Sequence, residues 1–241
     1  MSKGLKVYFI RHAESYNNYM KLTHRESYES YREIDPVLTS VGQDQATKLG
    51  EYMKKNWKNF EIQCVYTSPM IRTLQTAKFA FDGIDAKREV WTDIYEVRGP
   101  RRNGVPFPGS TRSQLLKMFP EFEIPNEVNE NGWFFKETVE TLEEAETRAK
   151  NLWNRLIGYA NNKEYPFTSI ALITHGKFLN FLFYFLLKEW IYKGNAFFEP
   201  LLNFYNTGVS QVILRKDLTL LESMDKVGHL PVPPRHKGGY N

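Results

Sequence analysis

The first third of the chain alternates strand and helix patterns, and this alternation restricts the fold more than any other feature of the sequence. Two short apolar runs, rich in β-branched and aromatic residues, predict buried strands at Lys6 to Ile10 and Ile62 to Thr67. Apolar residues at helical spacing follow in Val41 to Lys55 and in Met70 to Phe81. This order predicts parallel strands with crossover helices on both faces, which is an α/β fold.

The rest of the chain contains further strand and helix patterns, interrupted by segments without a regular period. Ser40 with Gln43 predicts the capping box that begins the first helix. The segment 16–35 has no clean period, and we expect it to flank a functional site. Glycine, proline and three arginines between Arg98 and Gly109 predict a basic loop. The other predictions are strands at 88–95, 169–174, 209–214 and 218–223, a short segment at 114–119, a long amphipathic helix at 140–160 and a buried helix at 178–187.

Length and composition favour a single domain over residues 1–230. The 241 residues could form one large domain or two small ones, and a hydrophobic content of 41% is enough for a sizeable core. No repeat or low-complexity block in the sequence divides the chain. The last residues are rich in proline and glycine, so we expect 231–241 to be a flexible tail.

Charge and cysteine content restrict the partners and the compartment. The net charge of +4 comes from 32 basic and 28 acidic residues spread along the chain, which argues against a nucleic-acid partner but suits small anionic substrates. Cys64 is the only cysteine, so we expect a buried thiol in a reducing compartment, the cytoplasm. We expect no membrane association, because the N-terminus lacks a signal-peptide core and 178–187 is too short to span a bilayer. The sequence does not indicate an oligomeric state.

Two histidines follow predicted strands, where ligands bind in open α/β sheets. His12 follows the first strand with Arg11 beside it, His175 follows a later apolar strand, and Arg72 opens a helix just after a strand. A guanidinium can hold two phosphoryl oxygens while a neutral imidazole attacks phosphorus, so the set predicts phosphoryl transfer through a covalent histidine intermediate. The Arg-His pair alone also fits a solvated charge beside a capping histidine.

Four motifs around these residues resemble a known family. They are Arg11-His12-Ala13-Glu14-Ser15 with Asn18, Leu38-Thr39-Ser40-Val41-Gly42 with Gln45-Ala46, Thr67-Ser68-Pro69-Met70-Ile71-Arg72-Thr73 with Gln75-Thr76-Ala77, and Thr174-His175-Gly176. In this order they resemble the histidine phosphatase superfamily, in its phosphoglycerate mutase-like branch, over Lys6 to about Pro231. The segments Pro120-Glu121-Phe122 and Asn131-Gly132-Trp133 replace the usual mutase insert, so the chain is more similar to eukaryotic mutase-like proteins than to glycolytic mutases.

The resemblance implies a three-layer α/β/α sandwich with a mostly parallel sheet, and catalysis without a metal or another cofactor. It implies that His12 is the nucleophile and that Arg11, Arg72 and His175 bind the phosphate. Glu96 falls where many members keep the acid that protonates the leaving oxygen.

The chain departs from the family pattern at two positions. Ala13 replaces the usual glycine, which we expect to be tolerated because its methyl group is small. Glu96 is followed by Val97-Arg98-Gly99, so its carboxylate could instead form a structural ion pair with Arg98 or Arg101.

The sequence leaves the roles of several other residues open. Asn18 could approach the phosphoryl group or cap a turn. Three arginines, Arg101, Arg102 and Arg112, could bind substrate or form a solvated face. His24 is expected at the surface. We expect no metal site, because no cluster of histidine and acidic residues has ligand spacing.

Three functions fit these residues. The first is a phosphatase that hydrolyses a small anionic phosphomonoester. The second is a phosphoglycerate-type mutase, which would have to keep water from the phosphohistidine. The third is a regulatory module that binds phosphate without turnover. The presence of both arginines and both histidines argues against the third, and the missing mutase insert argues against the second, so the sequence favours a phosphatase.

Overall fold

The computed structural model describes residues 4–191, 202–216 and 218–230, and its strands form a six-stranded sheet and a two-stranded ribbon. The strands are β1 (Leu5–Arg11), β2 (Cys64–Thr67), β3 (Lys87–Val90), β4 (Arg101–Arg102), β5 (Val105–Pro106), β6 (Ser169–Thr174), β7 (Val209–Arg215) and β8 (Leu218–Lys226). The helices are α1 (Tyr16–Thr23), α2 (Tyr28–Tyr31), α3 (Ser40–Lys55), α4 (Trp57–Phe60), α5 (Ile71–Ala80), α6 (Arg112–Met118), α7 (Leu142–Asn161) and α8 (Gly176–Ile191). The predicted tail, 231–241, lies outside the described residues.

The central sheet has the strand order β3-β2-β6-β1-β7-β8 and is mostly parallel. The pairs β3–β2, β2–β6 and β6–β1 are parallel, and only β7 runs against its neighbours β1 and β8. In the central pair, Arg11 is in register with Thr174. The carboxyl ends of β1, β2 and β6 therefore meet at one edge of the sheet, as the strand and helix order predicts.

Helices cover the two faces of this sheet and bury separate apolar layers. The first layer joins Tyr8 and Ile10 of β1 to side chains of α3 and α5. The second joins Val7 and Phe9 to side chains of α7 and α8. Alternate β1 residues thus face opposite layers, as strand geometry requires. The predicted three-layer α/β/α architecture is confirmed, and Cys64 is buried as expected.

The start of α3 differs from the predicted capping box. The N-cap is Thr39 and not Ser40, and its hydroxyl accepts a hydrogen bond from the Gly42 N–H at 3.0 Å. The Thr39 N–H in turn donates to the Glu14 carbonyl at 3.0 Å. A Cβ at Gly42 would lie only 2.0 Å from that same carbonyl oxygen, so the close approach of α3 to the residues after β1 requires glycine.

Two segments without a clear pattern contain regular structure. The segment 16–35 forms α1 and α2. The basic loop contains the ribbon of β4 and β5, which turns at Asn103 and Gly104 with φ values of 50° and 76°. Asn-Gly is the usual sequence of a tight hairpin turn, so this dipeptide could have predicted the ribbon. The strand predicted at 88–95 corresponds to β3, which is shorter and ends at Val90.

The predicted buried helix at 178–187 lies within α8, which is apolar but short for a membrane span. No helix among the described residues is both long and apolar enough to cross a bilayer.

Candidate active site

The carboxyl edge of the sheet brings together the two predicted histidines and both predicted arginines. We call Arg11, His12, Arg72 and His175 the strand-end pocket. The rings of His12 and His175 lie 5.3 Å apart between centroids. The Nε of Arg72 lies 3.3 Å from the Nε2 of His12. All four residues are at most 8% exposed, so their charges and hydrogen-bonding groups act with little screening by water.

Hydrogen bonds determine which nitrogen of His12 carries the proton. The Nδ1 lies 2.7 Å from the carbonyl oxygen of Ala13, and a carbonyl can only accept, so Nδ1 must be the donor. The Nε2 then has a free lone pair, which accepts the hydrogen bond from Arg72. His12 therefore presents a nucleophilic nitrogen toward the arginine, in the tautomer that attack on phosphorus requires.

Burial and neighbouring charges keep both histidines neutral. Burial lowers the pKa of His12 well below its ordinary value, and the positive charges of Arg72 and Arg11 lower it further. Burial likewise lowers the pKa of His175, with further contributions from Arg72 and His12. A neutral imidazole at His12 is the reactive form, since a protonated one has no lone pair to donate.

The loop after β1 is held by side chains of α3 and α5. The Ala13 N–H donates to Oγ1 of Thr76 at 3.0 Å, and the Glu14 N–H donates to Oε1 of Gln45 at 2.9 Å. Both acceptors belong to the motifs found in the sequence. These helices therefore fix the backbone that presents His12.

A second loop, residues 204–208, holds Arg11 and His12 from the other side. Arg11 NH1 donates to the carbonyl of Phe204, and Asn206 Nδ2 donates to the carbonyl of His12 at 2.8 Å. The Thr207 N–H donates to the Arg11 carbonyl at 3.0 Å. Asn206 and Thr207 have no role predicted from the sequence, although both lie in a segment that resembles the family.

The same loop is supported by the C-terminal part of the described chain. Thr207 has a φ of 57°, which is unfavourable for a β-branched residue. Its Oγ1 lies 2.8 Å from Nε2 of His229, and the carboxylate of Asp225 accepts a hydrogen bond from the Tyr205 N–H at 2.9 Å. These contacts compensate for the strained backbone and connect residues after β7 to the strand-end pocket.

Arg72 is positioned by Asp35, which the sequence analysis did not single out. The carboxylate of Asp35 accepts hydrogen bonds from the Ile71 N–H at 3.0 and 3.2 Å and lies 3.6 Å from NH1 of Arg72. Burial raises the pKa of Asp35 to about 6, although the charge of Arg72 acts in the opposite direction. Asp35 thus caps the first N–H of α5 and orients Arg72, the one arginine of that helix.

His175 contacts the end of β2 and retains one unused nitrogen. Its Nε2 lies 2.9 Å from Oγ of Ser68, and its Nδ1 is buried with no hydrogen-bond partner among the described residues. Gly176 follows directly, and a Cβ there would lie 3.2 Å from Nε of Arg11. Since unsatisfied buried nitrogens are costly, the Nδ1 of His175 indicates a site prepared for a polar ligand.

Glu96 lies close to the pocket and is held by backbone N–H groups. Its carboxylate accepts hydrogen bonds from the N–H groups of Val97 at 2.9 Å, Phe178 at 3.1 Å and Lys177 at 3.4 Å. No ion pair joins it to Arg98 or Arg101 within the described ranges, so the alternative of a structural ion pair is not observed.

The segment around Glu96 is anchored by a buried ion pair. Arg148 donates to both carboxylate oxygens of Glu140, at 2.7 and 2.8 Å, and to the Tyr95 carbonyl at 2.9 Å. Glu140 also accepts a hydrogen bond from the Arg98 N–H at 3.0 Å. This arrangement fixes the backbone on both sides of Glu96, and neither Glu140 nor Arg148 was expected from the sequence.

The remaining predicted residues make local contacts, and Asn18 also contacts the loop that supports His12. Ser15 is the N-cap of α1, and Oδ1 of Asn18 completes its capping box by accepting hydrogen bonds from the Ser15 N–H and Oγ at 3.1 Å. The same oxygen accepts a hydrogen bond from Asn206 Nδ2 at 3.2 Å, which links Asn18 to the loop that holds His12. Arg112 donates to the carbonyls of Ile124 at 3.0 Å and Pro125 at 2.8 Å. Arg101 is half-buried, and Arg102 is exposed on the ribbon. Substrate contacts by these residues stay predictions.

His24 is exposed and contacts Thr23, as expected of a surface histidine. The described ranges contain no group of three or more histidine, cysteine and acidic side chains that could hold a metal ion.

Comparison with known proteins gives a family match over almost the whole chain. The model of the histidine phosphatase superfamily (branch 1) matches residues 7–225. Phosphoglycerate mutase-like protein 1 of Arabidopsis thaliana is 32% identical over 91 residues, which are 38% of this chain and 30% of that protein. The aligned region therefore spans less than a third of the length of this relative.

Solved structures of low sequence identity share the fold. The ecdysone phosphate phosphatase from Bombix mori, in complex with tungstate, aligns with a TM-score of 0.64 and 18% identity over 98% of both chains. A phosphoserine phosphatase mutant from Entamoeba histolytica, in complex with phosphoserine, aligns with a TM-score of 0.55 and 21% identity over 94% of this chain and 99% of that one.

Proposed function

The chain belongs to the histidine phosphatase superfamily, and we propose that it is a phosphatase that hydrolyses a small anionic phosphomonoester through a phosphohistidine on His12. The observation that carries this proposal is the 3.3 Å contact between Nε of Arg72 and the unprotonated Nε2 of His12. A phosphoryl group that enters there meets a nucleophile and a guanidinium together.

The first step transfers the phosphoryl group to the protein. Nε2 of His12 attacks phosphorus, the new N–P bond forms, and the bond between phosphorus and the ester oxygen breaks. Arg11, Arg72 and His175 donate hydrogen bonds to the phosphoryl oxygens, where negative charge is concentrated. The Nδ1–H of His12 continues to donate to the Ala13 carbonyl, which stabilises the positive charge on the phosphorylated ring.

Glu96 transfers a proton in each of the two steps of this proposal. In its protonated form it gives a proton to the leaving ester oxygen, and the alcohol departs. Its carboxylate then takes a proton from a water molecule as that water attacks phosphorus, which breaks the N–P bond and releases inorganic phosphate. Its backbone hydrogen bonds from α8 hold the carboxylate in one orientation for these transfers.

The proposed chemistry needs no metal, because the two arginines supply the positive charge that a metal supplies in other phosphatases, and together with His175 they supply the hydrogen-bond donors. We therefore expect excess EDTA to leave turnover unchanged. A loss of activity in EDTA that a divalent cation restores would contradict this part of the proposal. We also propose that the protein acts in the cytoplasm, where the free thiol of Cys64 stays reduced.

Phosphohistidine chemistry provides the direct test. Brief reaction with a phosphate-labelled ester, quenched in alkali, should leave label on His12, because phosphohistidine survives base and is lost in acid. His12→Ala should take up no label, and His24→Ala, which changes an exposed histidine, should be labelled like the wild type. Label that persists in acid would contradict the proposal.

The same preparation distinguishes a phosphatase from a mutase. A phosphatase releases inorganic phosphate from 3-phosphoglycerate or from an aryl phosphate, whereas a mutase converts 3-phosphoglycerate to its isomer with little release. Uptake of label without either product would indicate a binding module.

A further inference from the structure

A buried serine, Ser68, contacts His175 from a position directly after β2. It is fully buried, and its Oγ lies 2.9 Å from Nε2 of His175. The Ser68 N–H donates to the carbonyl of Ile173 in β6 at 3.1 Å, and the Ser68 carbonyl accepts a hydrogen bond from Oγ1 of Thr73 at 2.8 Å. The backbone of Ser68 is therefore fixed between β6 and α5, and its hydroxyl is held against the ring of His175.

The hydroxyl of Ser68 has one proton, and the contacts of its oxygen determine where that proton goes. Oγ accepts a hydrogen bond from the Met70 N–H at 3.4 Å, which uses a lone pair and not the proton. In the described part of the chain, the only other hydrogen-bond partner of this oxygen is Nε2 of His175. A buried hydroxyl proton without an acceptor is costly, so Ser68 donates its proton to Nε2.

This hydrogen bond determines the tautomer of His175. Burial lowers the pKa of His175 well below its ordinary value, and the charge of Arg72 lowers it further, so the ring is neutral and has one N–H. Because Nε2 accepts from Ser68, it carries no hydrogen, and the single N–H is at Nδ1. Nδ1 is buried with no partner among the described residues. The opposite tautomer would leave the hydroxyl proton of Ser68 unsatisfied as well.

A donor at Nδ1 suits the position of His175 in the strand-end pocket. Its ring lies 5.3 Å from that of His12 between centroids, and both residues are buried. Rings this close can share one phosphoryl group between them. An N–H attracts the oxygens of that group, whereas a lone pair at the same nitrogen would repel them.

We propose that Ser68 is a positioning residue, which holds His175 in the tautomer that presents its Nδ1–H to the phosphoryl oxygens. The inference rests on the proposed phosphatase function and adds the source of one of its hydrogen bonds. The donor is a neutral ring, so it stabilises the phosphoryl oxygens without adding a positive charge beside Arg11 and Arg72. Ser68 and His175 both keep their protons throughout the reaction.

Nitrogen chemical shifts report this tautomer directly, because a ring nitrogen with a proton and one without differ widely in shift. The chain has five histidines, so isotope labelling of histidine nitrogen gives few ring signals, and His175→Gln identifies those of His175. Near neutral pH, we expect the proton of His175 on Nδ1 in the wild type. A proton on Nε2 would overturn the inference.

Three variants connect the tautomer to activity. Ser68→Ala removes the hydroxyl, so the Nε2–H form should become populated, and kcat/KM should fall about tenfold for an alkyl and an aryl phosphate alike. Ser68→Thr keeps the hydroxyl and should restore the spectrum and most of the activity. Ser169→Ala removes a buried hydroxyl at the opposite end of β6, where it donates to the Phe60 carbonyl, and should change neither. Thermal unfolding checks that each variant is folded.

Failure of this inference differs from failure of the proposed function. A wild-type tautomer or unchanged kcat/KM in Ser68→Ala, or an equal loss of activity in Ser169→Ala, would overturn the role of Ser68 and leave the phosphatase intact. Ser68→Cys, with a weaker donor, takes the place of Ser68→Ala if that variant does not fold. If the wild type hydrolyses neither ester, the proposed function fails. Calorimetric binding of inorganic phosphate then replaces kcat/KM, and equal affinities of the wild type and Ser68→Ala would overturn the inference.

Discussion

The strand-end pocket and three arginines outside it are both positively charged, but the protein builds them in different ways. These three are Arg32, Arg98 and Arg101, and we call them the rim arginines. Each pocket residue lies at or just after the end of a strand, or in the first turn of the helix that follows, so sheet register and helix packing determine its place. Arg32 follows α2, whereas Arg98 and Arg101 lie before and in β4, and the two segments meet where Arg32 donates to the Arg101 carbonyl. The sheet therefore fixes the pocket, whereas the position of the rim depends on how separate segments pack.

Electrostatics separate the two regions in the same way. In the pocket, burial lowers the pKa of His12 and His175, and the positive charges of the arginines lower both further, so both rings stay neutral. At the rim, the buried guanidinium of Arg32 has no carboxylate partner in the described part of the chain. Substitutions in the pocket should therefore affect every substrate, whereas those around it should discriminate among substrates.

The largest effect is expected at the nucleophile. His12→Ala removes the nitrogen that forms the covalent intermediate, and kcat should fall by about 10⁴-fold or more with every phosphate ester. Steady-state phosphate release measures this loss, with His24→Ala as the control on an exposed histidine. Retention of full activity by His12→Ala would remove the pocket from the mechanism.

Arg72→Ala should have the next largest effect. It removes charge-assisted donors to the phosphoryl oxygens and should lower kcat/KM by about 10³-fold, by the same factor for activated and unactivated esters. Arg215→Gln, an exposed change at the opposite end of the sheet, should have no such effect. A loss limited to one class of ester would show that Arg72 does not act on the phosphoryl group alone, and would contradict the distinction between the strand-end pocket and the rim arginines.

Glu96→Gln should discriminate by leaving group. An alkyl alcohol needs a proton as it departs, whereas a nitrophenolate leaves unaided, so kcat should fall by roughly 10²-fold for alkyl phosphates and far less for nitrophenyl phosphate. The ratio of the two rates in one preparation is the measurement. Equal slowing of both, with normal dephosphorylation of the enzyme, would indicate another acid, and Asp35 would be the next carboxyl to test.

Thr207→Val should have a smaller effect, because it acts through the position of Arg11. The variant loses the contact between Oγ1 and His229, and we expect kcat/KM to fall about tenfold and the free energy of unfolding by about 1 kcal/mol. Thr207→Ser keeps the hydroxyl and should restore most of the activity. A loss of stability in Thr207→Val with unchanged kinetics would show that residues 204–208 do not position the pocket.

The smallest effect concerns stability at mildly acidic pH. Burial lowers the pKa of His229 to about 4, and the pKa values of His12 and His175 are also lowered. The unfolded chain therefore binds more protons than the folded one below about pH 6.5, and the free energy of unfolding should fall as the pH drops from about 6.5 toward 4.

Asp35 acts in the opposite direction, since its folded pKa of about 6 lies above the ordinary value of 3.8. This carboxyl adds stability as the pH falls from about 6 to 3.8, but one such group opposes three histidines. Denaturant unfolding between about pH 7.5 and 4.5 measures the sum. His229→Gln should flatten the curve, and Asp35→Asn should steepen it. A free energy of unfolding that rises on acidification would contradict the neutral state of the histidines.

The fold class and the four residues of the strand-end pocket follow from the amino-acid order alone. The reason is local: apolar runs specify strands, parallel strands align their carboxyl ends, and whatever follows those ends must meet. The strand pattern therefore predicts that His12 and His175 lie close together, and their rings are 5.3 Å apart. The strand β6 agrees with its predicted bounds, because its apolar run is buried on both faces.

The contacts that support and surround this pocket depend on tertiary packing. Asn206 binds the carbonyl of His12, 194 residues away, and Arg32 binds the carbonyl of Arg101, 69 residues away. Thr39 replaces Ser40 as the cap of α3 because the Glu14 carbonyl lies beside it. The periodic spacing of apolar residues cannot indicate such contacts, since each depends on how separate elements pack. The charges at the rim are visible in the sequence, but the burial that leaves Arg32 without an acidic partner among the described residues is a property of the folded chain alone.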